Sequence, residues 1–187
     1  MIRALAILLL MVATPVLAGE TPAPLPFKVG GAFNLTDQHG APRSQADPDG
    51  HAQLLFFGYA NCPGICTTAL PMMADVTDLL AEQNITVRPV MITVDPARDR
   101  VGTMTGPLAK LHPDFTGLTG DEAALAKAYG AFSVQRKLVF EDPEYGPVYA
   151  HGSFIYLLDG GGKVLTLFPP VQDASHVAKA AASYLAG

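Results

Sequence analysis

Tryptophan is absent from this 187-residue chain, cysteine occurs only twice, and cationic side chains are few. Its 12 lysines and arginines are outnumbered by 17 acidic residues, which gives a formal net charge of −5. Because nucleic-acid binding depends on cations placed against phosphates, this balance argues against a DNA or RNA partner. No basic amphipathic stretch suggests docking on anionic lipid. The length suits one domain with a hydrophobic core.

The first 18 residues have the pattern of a secretory signal peptide. Arg3 supplies the positive end, residues 4–11 are apolar, and residues 16–18 are suited to cleavage after Ala18. The alternative is an uncleaved anchor, which needs about 20 apolar residues, but Thr14 and Pro15 interrupt the run early. No cysteine follows the leader directly, so a bacterial lipoprotein anchor is excluded. We expect export to the bacterial periplasm, where thiols tend to oxidise.

After a flexible, proline-rich lead-in at residues 19–30, the chain alternates strand and helix patterns. An early hairpin is predicted at residues 33–40, and buried strands at 52–59 and 86–94. Helices are predicted at 67–83, 99–111, 121–129 (ending at Gly130) and 175–185, and further strands at 133–140, 153–158 and 163–168. This order predicts an α/β sandwich around a central mixed sheet, as in the thioredoxin architecture, over residues 31–187.

The two cysteines, Cys62 and Cys66, stand four positions apart where the first buried strand meets the first long helix. If Cys66 begins the helix, nearby backbone N–H groups favour its thiolate. Four helical residues rise about 6 Å, and disulfides need Cα atoms about 4.4–6.8 Å apart, so a disulfide and an open dithiolate are both within reach. A static disulfide here would remove little chain entropy, which favours a working pair.

The spacing of the pair differs from the redox sites that it could be confused with. A thioredoxin-type site has two residues between its cysteines and usually a tryptophan in front, whereas here there are three residues and the chain has no tryptophan. A peroxide-reducing thiol usually has threonine three residues earlier, where this chain has Tyr59. The extra spacer residue leaves room for an ion between the sulfurs.

His151 is the candidate third ligand. It precedes the predicted strand at 153–158, at a turn that faces the cysteine loop in a thioredoxin-like sheet. On its own it would be interpreted as an ordinary hydrogen-bonded histidine, but beside two thiols it favours a metal site. Two thiolates and an imidazole suit copper. Zinc is the second choice, because it would need a fourth ligand such as Asp95 or His112.

The other side chains of types that can bind metals are predicted to have structural roles or to be solvated. Met73 is predicted to lie in the core and Met72 at the rim of the site. Asp95 to Asp99 is interpreted as a strand end followed by a helix start, with Asp99 as N-cap. The other histidines are predicted to be solvated: His39, His51, His112 and His176.

Several segments together resemble the SCO/SenC family of copper-handling proteins. They are residues 33–40, 56–59, 62–70, 92–99 and 115–120, and His151 with the strand at 154–157. The resemblance covers most of the mature chain. It implies a thioredoxin-like fold with an insertion, copper bound at Cys62, Cys66 and His151, and a role in assembling the copper centre of a respiratory oxidase.

Three positions depart from the common pattern of that family. Gly64 stands where aspartate is usual, Thr67 where proline is usual, and Ala150 where aspartate often precedes the histidine. An aspartate at position 150 could orient the imidazole. None of the departures removes a ligand.

Three functions are open at this point. A metallochaperone would hold copper, as Cu(I) or Cu(II), between an upstream copper donor and the copper-centre subunit of an oxidase. A thiol–disulfide reductase would use Cys62 and Cys66 as a redox pair to keep the target cysteines reduced, without need of His151. A copper or redox sensor would need a signalling partner. Membrane contact is expected only through the partner or an uncleaved leader.

Overall fold

The structure, a computed structural model, describes residues 25–60, 62, 64 and 66–186. The predicted signal peptide at 1–18 and the first part of the lead-in lie outside these residues, so their predictions stay untested. Across the described residues, no helix combines the length and apolarity needed to cross a bilayer.

The described part of the chain forms nine strands and four helices. The strands are β1 (Asn34–Asp37), β2 (Pro42–Ser44), β3 (Ala52–Gly58), β4 (Val87–Thr93), β5 (Thr116–Thr119), β6 (Lys137–Asp142), β7 (Gly146–Ala150), β8 (Ile155–Leu158) and β9 (Val164–Phe168). The helices are α1 (Cys66–Ala81), α2 (Thr105–Ala109), α3 (Glu122–Ala131) and α4 (Ala174–Leu185).

Seven strands form one mixed sheet in the order β2-β1-β5-β4-β3-β8-β9. Strand β3 is parallel to β4 and antiparallel to β8, and β4 is parallel to β5. The antiparallel β1–β2 pair forms the expected N-terminal hairpin, but its second strand, Pro42–Ser44, lies beyond the predicted bounds of 33–40. Strands β6 and β7 pair only with each other, as an insertion between α3 and β8. The predicted α/β sandwich around a mixed sheet is confirmed.

The core lies on both faces of β3, because neighbouring side chains of a strand point to opposite faces. Phe57 packs against Tyr129 and Phe132, which lie in and just after α3. Phe56 lies on the other face, the one covered by the start of α1. Both phenylalanines are fully buried. Fully burying one such side chain contributes roughly 1.5–3 kcal/mol, so this pair fixes the strand that leads to the cysteines.

Helix α1 (Cys66–Ala81) begins one residue before the predicted start and ends two residues before the predicted end, and it buries its apolar residues at helical intervals. Met73 lies in the core as predicted, but the prediction that Met72 lies at a rim is wrong, since it is also buried. The physical reason is that α1 packs both on the sheet and on α4. Its buried surface is therefore wider than the single stripe that a lone helix face would give.

Further differences between the predicted and the observed elements lie after β4. Strand β5 and strand β7 have no counterpart among the predicted elements, and β6 begins four residues later than predicted. Of the predicted helix at 99–111, only Thr105–Ala109 is helical, as α2. Gly130 does not end α3, which continues to Ala131 and closes when Ser133 takes a positive φ of 56°. The Val134 N–H then donates to the Tyr129 carbonyl at 2.8 Å and satisfies the helix end.

Candidate metal centre

Three chain segments meet at one edge of the main sheet. Strands β3 and β4 are parallel, so the loop after β3 and the turn after β4 leave the sheet at the same edge. Strand β8 is antiparallel to β3 and therefore starts at that edge. Cys62 follows β3 and His151 precedes β8. The sheet topology thus brings together residues that are far apart in the sequence.

The three predicted ligand side chains converge. Sulfur atoms of Cys62 and Cys66 and a ring nitrogen of His151 all lie within 4.8 Å of one another. The Cys66 Sγ is 3.9 Å from His151 Nε2. Cys66 is only 3% exposed, whereas Cys62 and His151 are half-buried. That these atoms hold a metal stays a prediction, but the geometry that it requires is present.

Neither of the two candidates for a fourth ligand belongs to this cluster. Among the described residues, the group contains only the two cysteines and His151. Asp95 is ion-paired with Arg98, and His112 Nε2 lies 3.1 Å from Asp78 Oδ1. The prediction that His112 is solvated is wrong, because its side chain is 11% exposed.

Of the other three histidines that were predicted to be solvated, two are exposed to solvent as predicted. His39 and His176 are exposed, and His51 is half-buried.

A backbone carbonyl orients the imidazole of His151. Its Nδ1 lies 2.9 Å from the Gly152 oxygen, and in the tautomer with the proton on Nδ1 this nitrogen donates to the carbonyl. The Nε2 lone pair then faces the sulfurs, as a metal ligand requires. Edge-on contacts with Phe56 and Tyr59, at centroid distances of 5.8 and 6.1 Å, hold the ring plane. No carboxylate at position 150 is needed for this orientation.

The two thiols have opposite acid–base properties. A hydrogen bond from Cys66 and a contact with His151 lower the pKa of Cys62 to about 4, although partial burial opposes this. The same hydrogen bond, together with burial, raises the pKa of Cys66. The prediction of a Cys66 thiolate is therefore wrong, because helix-end N–H groups do not outweigh burial beside a more exposed anion. The opposite directions of the two pKa values favour the negative charge on Cys62 and the proton on Cys66.

The start of α1 closes the cysteine loop. The Thr67 N–H and hydroxyl both donate to the Gly64 carbonyl, at 3.0 and 2.7 Å. The residue that replaces the usual proline therefore adds two hydrogen bonds at this position. Gly58, at the end of β3, leaves the space that the site needs. A Cβ at position 58 would lie 3.0 Å from Cys66 Sγ and 2.7 Å from the Phe56 ring.

An open cavity of about 490 Å³ lies between the cysteine loop and the β6–β7 hairpin. Cys62 and His151 line it, with aromatic side chains that include Phe140, Tyr145 and Tyr149. The hairpin also exposes Leu138 and Val139 to solvent. The half-buried ligand atoms thus face an opening with an apolar rim.

One residue near the site has a role that its sequence pattern does not indicate. Asp99 does not cap a helix, since α2 begins at Thr105. It is 2% exposed, and its Oδ2 accepts hydrogen bonds from the Ala60 N–H at 3.0 Å and the Thr93 hydroxyl at 2.8 Å. Burial raises the pKa of Asp99, while these two hydrogen bonds act against the rise. Only its place in the turn that follows a buried strand could have pointed to this role.

Fold and side chains together define a thioredoxin-like protein with a convergent Cys–Cys–His group. The family model described as SCO1/SenC matches residues 22–186, and the chain belongs to the SCO1/SenC family. A SCO2-like protein of Rickettsia felis is 38% identical to it over 144 residues, which cover 75% of this chain and 69% of that protein.

Two solved structures share the fold. Bradyrhizobium japonicum ScoI with copper bound has a TM-score of 0.73 and 32% identity, and the match covers 83% of this chain and 99% of that one. BsSco, described as a member of the Sco family of cytochrome c oxidase assembly proteins with a disulfide switch, has a TM-score of 0.65 and 26% identity, covering 87% of this chain and 95% of that one.

We predict that iodoacetamide alkylates Cys62 at a rate that hardly changes between about pH 6 and pH 8, because a thiol with a pKa of about 4 is already ionised there. Cys66 should react far more slowly. Peptide mass spectrometry after timed quenching gives both rates. In Cys66→Ala, which lacks the hydrogen bond to Cys62, the Cys62 rate should rise with pH. A wild-type rate that rises about tenfold per pH unit over this range would contradict the assignment.

We predict that Gly58→Ala destabilises the reduced protein by about 1–3 kcal/mol, since overpacking costs this much in a tight core. Chemical denaturation followed by circular dichroism measures the change. Gly106→Ala is the matched control, because a Cβ there meets no atom within 4 Å. Equal stability of the two variants would show that the space beside Cys66 is not restricted.

Proposed function

We propose that this protein is an exported copper-binding metallochaperone that serves the copper centre of a respiratory cytochrome oxidase. The observation that carries the proposal is the convergence of Cys62, Cys66 and His151 within 4.8 Å. Thiolate and imidazole donors are those that copper prefers. A copper-bound relative with 32% identity and the same fold supports this choice.

The donor count favours copper over zinc. Structural zinc takes four ligands in a tetrahedral arrangement. No fourth histidine, cysteine or carboxylate of the described residues joins the cluster. A three-donor site with an open side also suits a cargo that must leave again, because an incoming ligand has room to bind.

Unequal burial gives the ligands different parts in transfer. Cys62 and His151 line the open cavity, whereas Cys66 is buried at the start of α1. A partner's donors would therefore replace Cys62 and His151 first and Cys66 last. Stepwise exchange keeps the ion bound throughout and avoids releasing it into solvent. The same order in reverse describes loading by an upstream donor.

The proposed partner is the copper-centre subunit of the oxidase. Support comes from BsSco, which belongs to a family described as assembling cytochrome c oxidase, and from the apolar hairpin beside the site. Leu138, Val139 and Phe140 are each about half exposed. Exposed apolar side chains grouped at a functional opening favour contact with another protein.

A reductase role is the second candidate, favoured by the low pKa of Cys62 and by the disulfide switch of BsSco. The Cys62 thiolate would attack a partner disulfide, forming a mixed disulfide and releasing one partner thiolate. Cys66 would then lose its proton and attack the Cys62 sulfur. The partner leaves with two reduced sulfurs, and this chain keeps the new disulfide. His151 forms no bond in that exchange, and its only contribution is the contact that favours the Cys62 thiolate.

Periplasmic location is part of the proposal. It rests on the leader pattern of residues 1–18. In an oxidising compartment the pair needs a reductant before it can bind copper, because a disulfide has no thiolate to offer.

We predict that the reduced protein binds one Cu(I) and that His151→Ala lowers the affinity by about tenfold or more, since even second-shell changes cost 10–100-fold at metal sites. Competition with a chromophoric Cu(I) chelator measures the affinity. His176→Ala, at an exposed position of α4, is the control. Thiol titration should still find two thiols in each variant. Equal affinity of His151→Ala and wild type would refute the ligand assignment and leave the reductase as the better candidate.

We predict that Val139→Lys slows copper transfer to a soluble copper-centre domain about tenfold, which corresponds to roughly 1.4 kcal/mol of lost contact. Copper affinity should stay unchanged, because Val139 does not line the cavity. Val171→Lys is the matched control, at another exposed valine. Stopped-flow mixing of loaded protein with the acceptor gives the rate. The same rate in both variants would remove the hairpin from the docking surface.

A further inference from the structure

We infer that the turn at residues 95–99 positions the two halves of the metal centre, with Asp99 holding the cysteine loop and Arg98 holding the hairpin that leads to His151. The inference rests on the proposed function, since it concerns the same site. Neither residue belongs to the ligand cluster. Both would act through the backbone segments that carry the ligands.

The Asp99 carboxylate fixes the start of the cysteine loop. It accepts a hydrogen bond from the Ala60 N–H at 3.0 Å, two residues before Cys62. It also accepts one from the Thr93 hydroxyl at 2.8 Å, at the end of β4. The Asp99 N–H donates to the Asp95 carbonyl at 2.9 Å, which closes the turn. The loop after β3 is thereby tied to the end of the neighbouring strand.

Arg98 holds the hairpin from the same turn. Its guanidinium donates to two backbone carbonyls of the hairpin, those of Tyr145 and of Pro147, the latter at 3.0 Å. Gly146 lies between them with a positive φ of 73°, and a Cβ there would come within 2.8 Å of the guanidinium. Glycine therefore permits the close approach. His151 directly follows β7, the strand that begins at Gly146.

A buried carboxylate keeps the guanidinium in place. Asp95 is fully buried, and its Oδ2 accepts from Arg98 Nε. Among the residues that the structure describes, none forms a hydrogen bond with its other oxygen, Oδ1. Because an unpaired buried charge is costly, Asp95 opposes any movement of Arg98 towards solvent. The planar guanidinium of Arg98 can then donate hydrogen bonds to one carboxylate and two carbonyls at once.

The same guanidinium also contacts the cysteine loop. Its central carbon lies 5.6 Å from the centroid of the Tyr59 ring. Tyr59 in turn makes edge-on contacts with Tyr149 of β7, at 5.9 Å, and with His151, at 6.1 Å. Arg136 packs on the Tyr149 ring at 4.4 Å. Side-chain contacts that begin at Arg98 in the turn thus connect the cysteine loop to the hairpin.

The hairpin needs such a tether. Strands β6 and β7 form no ladder with the main sheet, and an isolated two-stranded hairpin is marginal in water. Its position relative to the cysteine loop therefore depends on side-chain contacts. Removal of Arg98 would leave only the ring contacts of Tyr149 and His151 to hold the hairpin against the cysteine loop, and we expect the hairpin to loosen and His151 to move with it.

The first test is made on the copper-free reduced protein. NMR should show cross-relaxation between the rings of His151 and Tyr59 in wild type and in Arg100→Ala, an exposed neighbour. Arg98→Ala should lose this cross-relaxation while keeping two titratable thiols. Arg98→Lys, which keeps the charge for Asp95 but has no planar fork, should recover it only in part. If Arg98→Ala does not fold, Arg98→Lys alone carries the test.

The second test uses copper. Arg98→Ala should weaken Cu(I) binding about tenfold, and its Cu(II) form should lose imidazole nitrogen coupling in electron paramagnetic resonance. The positioning role would be overturned if both Arg98 variants kept the imidazole nitrogen coupling of the wild type and its cross-relaxation between His151 and Tyr59. Failure of the wild-type protein to bind copper would instead overturn the proposed function, and the copper-free ring contacts would still decide the role of Arg98.

Discussion

The two neighbours of β3 run in opposite directions, and the candidate metal centre depends on this arrangement. The parallel neighbour β4 ends where β3 ends, and the antiparallel neighbour β8 begins there. The cysteine loop, the turn at 95–99 and the segment of His151 therefore share one edge of the sheet. Burial of Phe56 and Phe57 holds β3 between its neighbours, so the core that stabilises the fold also sets the distances in the site.

Unequal burial gives the two cysteine side chains different pKa values, although they are chemically identical. Cys66 is buried at the start of α1, where its hydrogen bond with Cys62 and desolvation raise its pKa. Cys62 faces the cavity, and its lowered pKa favours the negative charge there. A thiol must lose its proton before it binds a metal, so Cys66 keeps its proton until a cation or an incoming sulfur replaces it. One arrangement thus supports both metal transfer and disulfide exchange, and only the imidazole distinguishes the two.

The elements that the sequence predicts well are those with strong local patterns. Strand β3 is a continuous apolar run, α1 has regular apolar spacing, and the cysteine pair lies between them. The convergence of His151 with the thiols follows once the sheet order is assumed. Strand β5 could not be predicted, because its threonines and glycine make a strand only between buried neighbours. The charge of the thiols and the role of Asp99 depend on burial, which local patterns do not give.

X-ray absorption at the copper edge of the Cu(I)-loaded, reduced protein tests the central claim most directly, because it counts the donor atoms around the ion. Convergence of Cys62, Cys66 and His151 on one ion predicts a first shell of two sulfurs and one nitrogen, with the outer-shell scattering typical of an imidazole ring. A shell of sulfur alone, with no imidazole scattering, would contradict it.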